Sequence, residues 1–245
     1  MSHATLTLAP NPADGRLVTQ ALRAIPLLRD LDESLMDRLA RISKIISAPA
    51  GTEVCRQAEA PDVLYIVLDG QLAASSTAAN GSAAVVEVIR PGAMIGLATL
   101  LARLPRLLNA RAIGHCRLLS IEAAGLLSLV EQETSLVTAL LRAEAQDFHA
   151  LVRQVCDLKL RTTAQRLGCY LLSLCTEPSG NVVALRLPFD KRLLAARLGC
   201  RQENLSRAFA TLRGLGVETH GARVILHDIA SLRDYALPDD PIDAD

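Results

Sequence analysis

Between Leu187 and Arg207 the chain places two short apolar patterns on either side of a glycine. Leu193, Leu194 and Leu198 line the first and Leu205, Phe209 and Leu212 the second, at the three- and four-residue spacing that gathers side chains on one helix face. Gly199 falls between them, and a tight turn between helices needs positive φ, which glycine adopts at least steric cost. Two helices sharing one buried face are predicted. The second then turns Gln202, Glu203, Ser206 and Arg207 away from Leu205 and Phe209, as the helix in a DNA major groove does. Arg can bond two guanine acceptors at once, Glu can accept from the cytosine amino group, and Ser can bond a base or lie against a thymine methyl. A solvated amphipathic hairpin would show the same spacing.

The flanking residues separate these readings. After Gly214 and Gly216, Val217-Glu218-Thr219, the turn pair His220-Gly221 and Ala222 to Leu226 read as a small hairpin, and Val182 to Leu187 as a strand ahead of the helices. Strand, two helices and hairpin make a winged helix-turn-helix. With the Glu-x-x-Ser-Arg pattern met by Glu203, Ser206 and Arg207, the chain resembles the Crp/Fnr regulators, named for the cyclic-AMP receptor protein and the fumarate-nitrate reduction regulator. Ser206 implies the fumarate-nitrate branch, whose half-sites resemble TTGAT; Gly there would look like the other branch. The runs Lys159 to Leu167, Leu187 to Arg192 and Glu203 to Leu212 are similar to FtrB-like regulators, and less closely to the heme-linked nitric-oxide regulators of denitrification.

Charge is distributed to match. Formal net charge is zero over 245 residues, yet Leu158 to Arg233 holds twelve Lys or Arg against five acids. That excess favours phosphate contact and steering. Arg201, Lys191 and Arg192 are the phosphate candidates. Acids gather elsewhere, including the tail Asp239, Asp240, Asp243 and Asp245, which with Pro238 and Pro241 reads as disordered. Met1 to Asn11 lack the pattern of a signal peptide, and no apolar run reaches the roughly 18 residues of a membrane span. A cytoplasmic chain is expected, with its six cysteines, free of any C-x-x-C pair, reduced and mostly structural.

The front half reads as short strands with glycine turns: Pro49 to Gln57, Leu64 to Leu72, an Asn80-Gly81 hairpin turn, Val85 to Ile89, and Arg117 to Ile121. Tyr65 to Gly70 and Arg90-Pro91-Gly92 resemble the family's cyclic-nucleotide-binding domain, and Ile25 to Leu28 and Leu35 to Ile42 its short leading helices. In that domain a Gly-Glu pair contacts the ribose and an Arg-Ser/Thr-Ala run the cyclic phosphate. Here the pair is Gly96-Leu97, and the run falls on Arg106-Leu107-Leu108 or on Leu108-Asn109-Ala110. Leu cannot accept from a ribose hydroxyl, a loss of about 1 to 3 kcal/mol, and neither register supplies both cation and hydroxyl. Cyclic AMP is not the expected effector, and a divergent cyclic-nucleotide-dependent regulator whose pocket tolerates Leu97 is the rival reading. Leu97, Leu100, Leu101, Leu104, Leu107 and Leu108 leave either a collapsed core segment or a hydrophobic effector site.

Other effectors are constrained similarly. The family's iron-sulfur cluster needs three closely spaced thiolates near the N-terminus, and no cysteine precedes Cys55. Heme has possible ligands in Met94, His115, Cys116 and His149, none placed by a motif. Cys200, ahead of the second helix, is either a redox brake on DNA binding or an inert turn residue. From about Ser135 to Leu158, Leu136, Leu140, Ala143, Asp147, Leu151 and Val155 recur at helical spacing. In the family such a helix packs on its twin, implying a homodimer; packing on its own barrel would leave a monomer. No paired carboxylate motif, metal-ligand spacing, nucleophile elbow or phosphate loop supports an enzyme with a DNA-binding tail.

The expected fold class is α+β: an N-terminal tail (1–24), a cyclic-nucleotide-binding-like β jelly-roll sensor (25–130), a dimerisation helix and hinge (131–160), a winged helix-turn-helix (161–237) and the acidic tail (238–245). The expected function is transcription regulation on double-stranded DNA, with RNA polymerase as a protein partner and no membrane or metal.

Overall fold

The computed structural model describes residues 7–8, 14–175, 182–187 and 190–237. The acidic tail 238–245 and the Pro188-Phe189 pair lie outside the described residues. The chain divides into two compact units, Met1–Ala150 and Leu151–Asp245.

The first unit opens with β1 (Thr7–Leu8), α1 (Asp14–Arg23) and α2 (Glu33–Arg41). Thus 1–24 is more than a tail: Val18 and Leu22 of α1 are buried with Leu35, Met36 and Leu39 of α2. There follow β2 (Ser43–Ala48), β3 (Glu53–Cys55), β4 (Val63–Asp69), β5 (Leu72–Thr77), β6 (Ala83–Ile89) and β7 (Met94–Ile95). Then come the short helix α3 (Leu97–Leu101), β8 (Asn109–Ala112), β9 (Cys116–Glu122) and α4 (Ala123–Gln132). Two antiparallel sheets result, ordered β1-β2-β9-β4-β7 and β3-β8-β5-β6.

Strand side chains alternate between two cores. Ile46, Ala48, Val67 and Leu118 meet Val54, Leu72, Ala110 and Ala112 between the sheets. Ile45, Leu64, Ile66, Leu119 and Ile121 face the other way, into a cluster with α1 to α4. Both faces of β4 and β9 are covered, which is why these strands read as nearly unbroken apolar runs. The β5–β6 hairpin turns where Asn80-Gly81 predicts it, with Gly81 at φ 81° and Asn80 Oδ1 accepting from the Ser82 N–H at 3.0 Å.

α5 (Thr134–Leu160) runs from the first unit into the second. Leu136, Ala139 and Leu140 in its opening turns are buried, whereas Leu141, Phe148, Leu151, Val152, Val155 and Leu158 are each at least 43% exposed. The stripe therefore packs on the first unit's core only as far as Ala143.

The second unit contains α6 (Thr163–Ser173), β10 (Val183–Arg186), α7 (Lys191–Arg197), α8 (Gln202–Arg213), β11 (Val217–His220), β12 (Arg223–Leu226) and α9 (Ile229–Ala236). Its sheet is antiparallel in the order β10-β12-β11. β11 runs one residue further than its sequence suggests: His220 pairs with Arg223, so Gly221-Ala222 makes the turn. Helix starts are chemically marked. Thr162 and Gln165 form a capping box on α6, and Asp190 accepts from the Leu193 N–H at 2.9 Å to start α7. Among the described residues no helix is long and apolar enough to cross a membrane.

Candidate DNA-recognition helix and sensor pocket

The α7–α8 turn is built as the glycine predicts. Gly199 has φ 60°, a conformation that disfavours any side chain, and a Cβ there would lie 2.4 Å from the Leu158 Cδ2 methyl, which would have to shift. Leu194 and Leu198 of the first arm are buried, as are Leu205, Ala208, Phe209 and Leu212 of α8; Leu193 is half-buried. On the opposite face of α8, Gln202, Glu203, Ser206 and Arg207 are all exposed. Ser206 Oγ donates to the Gln202 carbonyl at 3.1 Å, leaving its lone pairs outward.

Arg201 is exposed at the N-cap of α8, and Lys191 and Arg192 are exposed in the first turn of α7. The Lys191 ammonium lies 5.7 Å from the centre of the Phe209 ring, which keeps this cation beside α8. On the wing, Glu218 accepts from His220 Nε2 at 2.8 Å and His227 Nε2 at 3.0 Å in the donor tautomers. Those bonds, His227 first, hold its carboxyl below the usual range. Glu218 and His220 share one face of β11 by their two-residue spacing, and the hairpin brings His227 to them. Burial pushes the Cys200 thiol up against the opposing pull of Arg166, so the reactive thiolate is disfavoured.

In the first unit, Gly96 and Arg106 are brought together. Gly96 has φ 85° and precedes α3; a Cβ there would stand 2.7 Å from Arg106 Nη1. The Arg106 side chain is 4% exposed, donates through Nη2 to the Val63 carbonyl, and lies over Tyr65 with its Cζ 5.7 Å from the ring centre. Among the described residues Nη1 has no acceptor. The other predicted pocket residues turn elsewhere. Leu97 is buried in the helical core, Leu108 is half-buried, and Asn109 accepts from the Gln57 N–H at 2.9 Å while donating to the Ser75 carbonyl at 3.3 Å.

A cyclic nucleotide held as in the family does not fit these residues. The ribose acceptor is replaced by a core leucine, and the place after Arg106 holds Leu107, 73% exposed and without a hydroxyl. The residues available for heme are differently engaged: His115 Nε2 bonds Ser47 Oγ at 2.7 Å, Cys116 is buried with its thiol on the Gln71 carbonyl, Met94 is half-buried in β7, and His149 is exposed on α5. Among the described residues no group of three or more His, Cys, Asp or Glu could hold a metal ion.

Known proteins share both halves. The cyclic nucleotide-binding domain family matches residues 45–133 and the Crp-like helix-turn-helix domain family residues 165–235. A candidate cyclic-nucleotide-binding protein from Ruegeria pomeroyi DSS-3 is 34% identical, with 90% of this chain and 99% of that one covered and a TM-score of 0.62. The c-di-GMP-responsive global regulator CLP of Xanthomonas campestris, at 22% identity over 80% of this chain and 99% of its own, shares the fold with a TM-score of 0.65. A CRP-like cAMP-activated global transcriptional regulator of Mycobacterium tuberculosis is 23% identical over 209 residues, 82% of this chain and 92% of its own length. With a relative above 30% identity spanned almost end to end and both domain families matched in order, the chain belongs to the Crp/Fnr family of DNA-binding transcription regulators.

Proposed function

We propose that this chain is a homodimeric regulator that reads a palindrome with TTGAT-like half-sites, in the manner of the fumarate-nitrate branch and its FtrB-like members. One observation carries the reading: Gln202, Glu203, Ser206 and Arg207 are exposed together on α8 while Leu205, Ala208, Phe209 and Leu212 anchor its other face. A packed helix holds its polar face in one orientation, as recognition of base edges requires.

Arg207 and Glu203 read one G·C pair, Arg207 through the guanine acceptors and Glu203 through the cytosine amino group. Ser206 reads a neighbouring base, and Gln202 adds to it. Arg201, Lys191 and Arg192 hold phosphates and set the register. The exposed stripe Leu141, Phe148, Leu151, Val155 and Leu158 on α5 is an apolar surface of the kind a second copy covers. The barrel is the sensor half and does not use cyclic AMP. RNA polymerase is the further partner.

Arg207→Ala tests the base-reading role. Binding titrations should show a loss of about 1 to 3 kcal/mol per half-site and relaxed preference at one guanine. Unchanged affinity with unchanged base preference would defeat the assignment.

A further inference from the structure

Among the described residues three that are not glycine hold a positive φ, and two of them bracket one buried cation. Ala58, at φ 68°, gives its N–H to the Arg106 carbonyl at 2.8 Å, and the Arg106 N–H goes to the Glu59 carbonyl at 2.9 Å. Arg103, at φ 54°, lies in the turn that leads into Arg106. Left-handed backbone is unfavourable for residues with a Cβ and persists where the surroundings over-determine it, a pattern concentrated at ligand clamps.

The cation held this way is incompletely bonded. Nη2 reaches the Val63 carbonyl, Asp62 Oδ1 stands 4.0 Å away, and Nη1, against Gly96, has no acceptor among the described residues. An enclosed guanidinium N–H without an acceptor is costly, and an anionic oxygen bonds it most strongly. Apart from Asp62, Tyr65 and Arg103, the turn that carries it is apolar. Leu104 and Leu107 on the same turn are 57% and 73% exposed, Leu97 and Leu100 lie beneath in the core, and residues 102–108 contain no hydroxyl or carboxylate.

We propose that the Arg106 site takes an apolar monocarboxylate, a small organic acid whose carboxylate pairs with Nη1 and whose hydrocarbon lies on Leu104 and Leu107. The proposal rests on reading the barrel as a sensor. Because Nη1 is enclosed, entry requires the 102–107 turn to lift from Gly96. Relief of the left-handed Arg103 and cover for two exposed leucines both favour the lifted, ligand-bound form. Phosphate would satisfy Nη1 and leave the leucines wet; a neutral apolar molecule would do the reverse.

Titration calorimetry of the full-length protein with octanoate, octanamide, inorganic phosphate and cyclic AMP separates these cases. Octanoate should bind, and octanamide should bind at least about 10-fold more weakly, the equivalent of about 1.4 kcal/mol. Arg106→Gln should bring octanoate down to the octanamide level. Should that variant not fold, Leu104→Ser with Leu107→Ser, at exposed positions, should weaken octanoate by about 10-fold. Equal binding of acid and amide, preference for phosphate or cyclic AMP, or no octanoate binding by protein that still binds DNA would overturn the site. Arg106-dependent octanoate binding by protein that binds no DNA would keep the site and overturn the regulator reading.

Discussion

Gly199 and Gly221 have nearly the same backbone, at φ 60° and 61°, but unlike surroundings: an added Cβ at Gly199 meets Leu158 at 2.4 Å, and at Gly221 nothing lies within 4 Å. Alanine at Gly221 should therefore cost the left-handed conformation alone, about 1 to 2 kcal/mol. At Gly199 the methyl of the exposed Leu158 must also move, and a displaced rotamer costs about 0.5 to 1.5 kcal/mol more. Urea unfolding of the two variants checks this, and equal losses would mean that Leu158 yields freely. Gly199 was legible because its signal is local, an apolar spacing interrupted within one turn. Arg106 was legible only as a member of a possible phosphate run. Its inward course depends on the Val63 carbonyl, 43 positions away, and no local pattern records that.

At the scale of elements, α5 carries two carboxylates beside its exposed apolar stripe. Partial desolvation raises Asp147, whose side chain is still exposed, and desolvation followed by the charge of Asp147 raises the half-buried Glu144 against the Ala98 N–H that bonds it. A raised carboxyl binds its proton more tightly in the folded chain than in the unfolded one. Its ionised form therefore opposes folding at neutral pH, and that opposition disappears as pH falls through the folded value toward the ordinary range near about 4. Asp147→Asn should then stabilise the protein and tighten self-association at pH 7, and should lose its advantage in acid. Sedimentation and thermal unfolding at both pH values measure this; an advantage independent of pH would assign the effect to helix propensity instead. The spacing from Leu136 to Val155 predicts this helix to within two residues at either end, Ser135 to Leu158 against Thr134–Leu160. What spacing does not reveal is the change near Leu141 from buried to exposed, since both segments share one periodicity. β8 escapes for a different reason: Asn109-Ala110-Arg111-Ala112 has no β-branched or aromatic residue, and its pairing to β3 and β5 makes it a strand. α9 carries a local start signal in its sequence, the N-cap Asp228 ahead of Ile229, Leu232 and Ala236.

For the whole molecule, a net charge of zero conceals a C-terminal portion with twelve cations against five acids, and it is this local excess that DNA would meet. Affinity should fall linearly with salt on logarithmic axes, by about 0.9 for each phosphate neutralised. Lys191→Ala and Arg192→Ala should each flatten that slope by about one per half-site and weaken all sequences alike. Arg207→Ala should instead change base preference. The proposed dimer, with two recognition helices tied through α5, imposes a further condition, because half-sites read from one face of the duplex must recur at about 10 to 10.5 base pairs. Insertion of about five base pairs between them turns the second half-site to the far side of the helix, where a rigid dimer cannot reach it, and affinity should drop to that of a single half-site. Phe148→Asp, placing a charge in the centre of the exposed stripe, should give the same drop without any change in the DNA. If the variant remains dimeric in sedimentation and keeps full affinity for the unaltered palindrome, α5 is not the surface that joins the two copies. If it is monomeric and indifferent to the inserted base pairs, the spacing requirement belongs to the dimer rather than to α8.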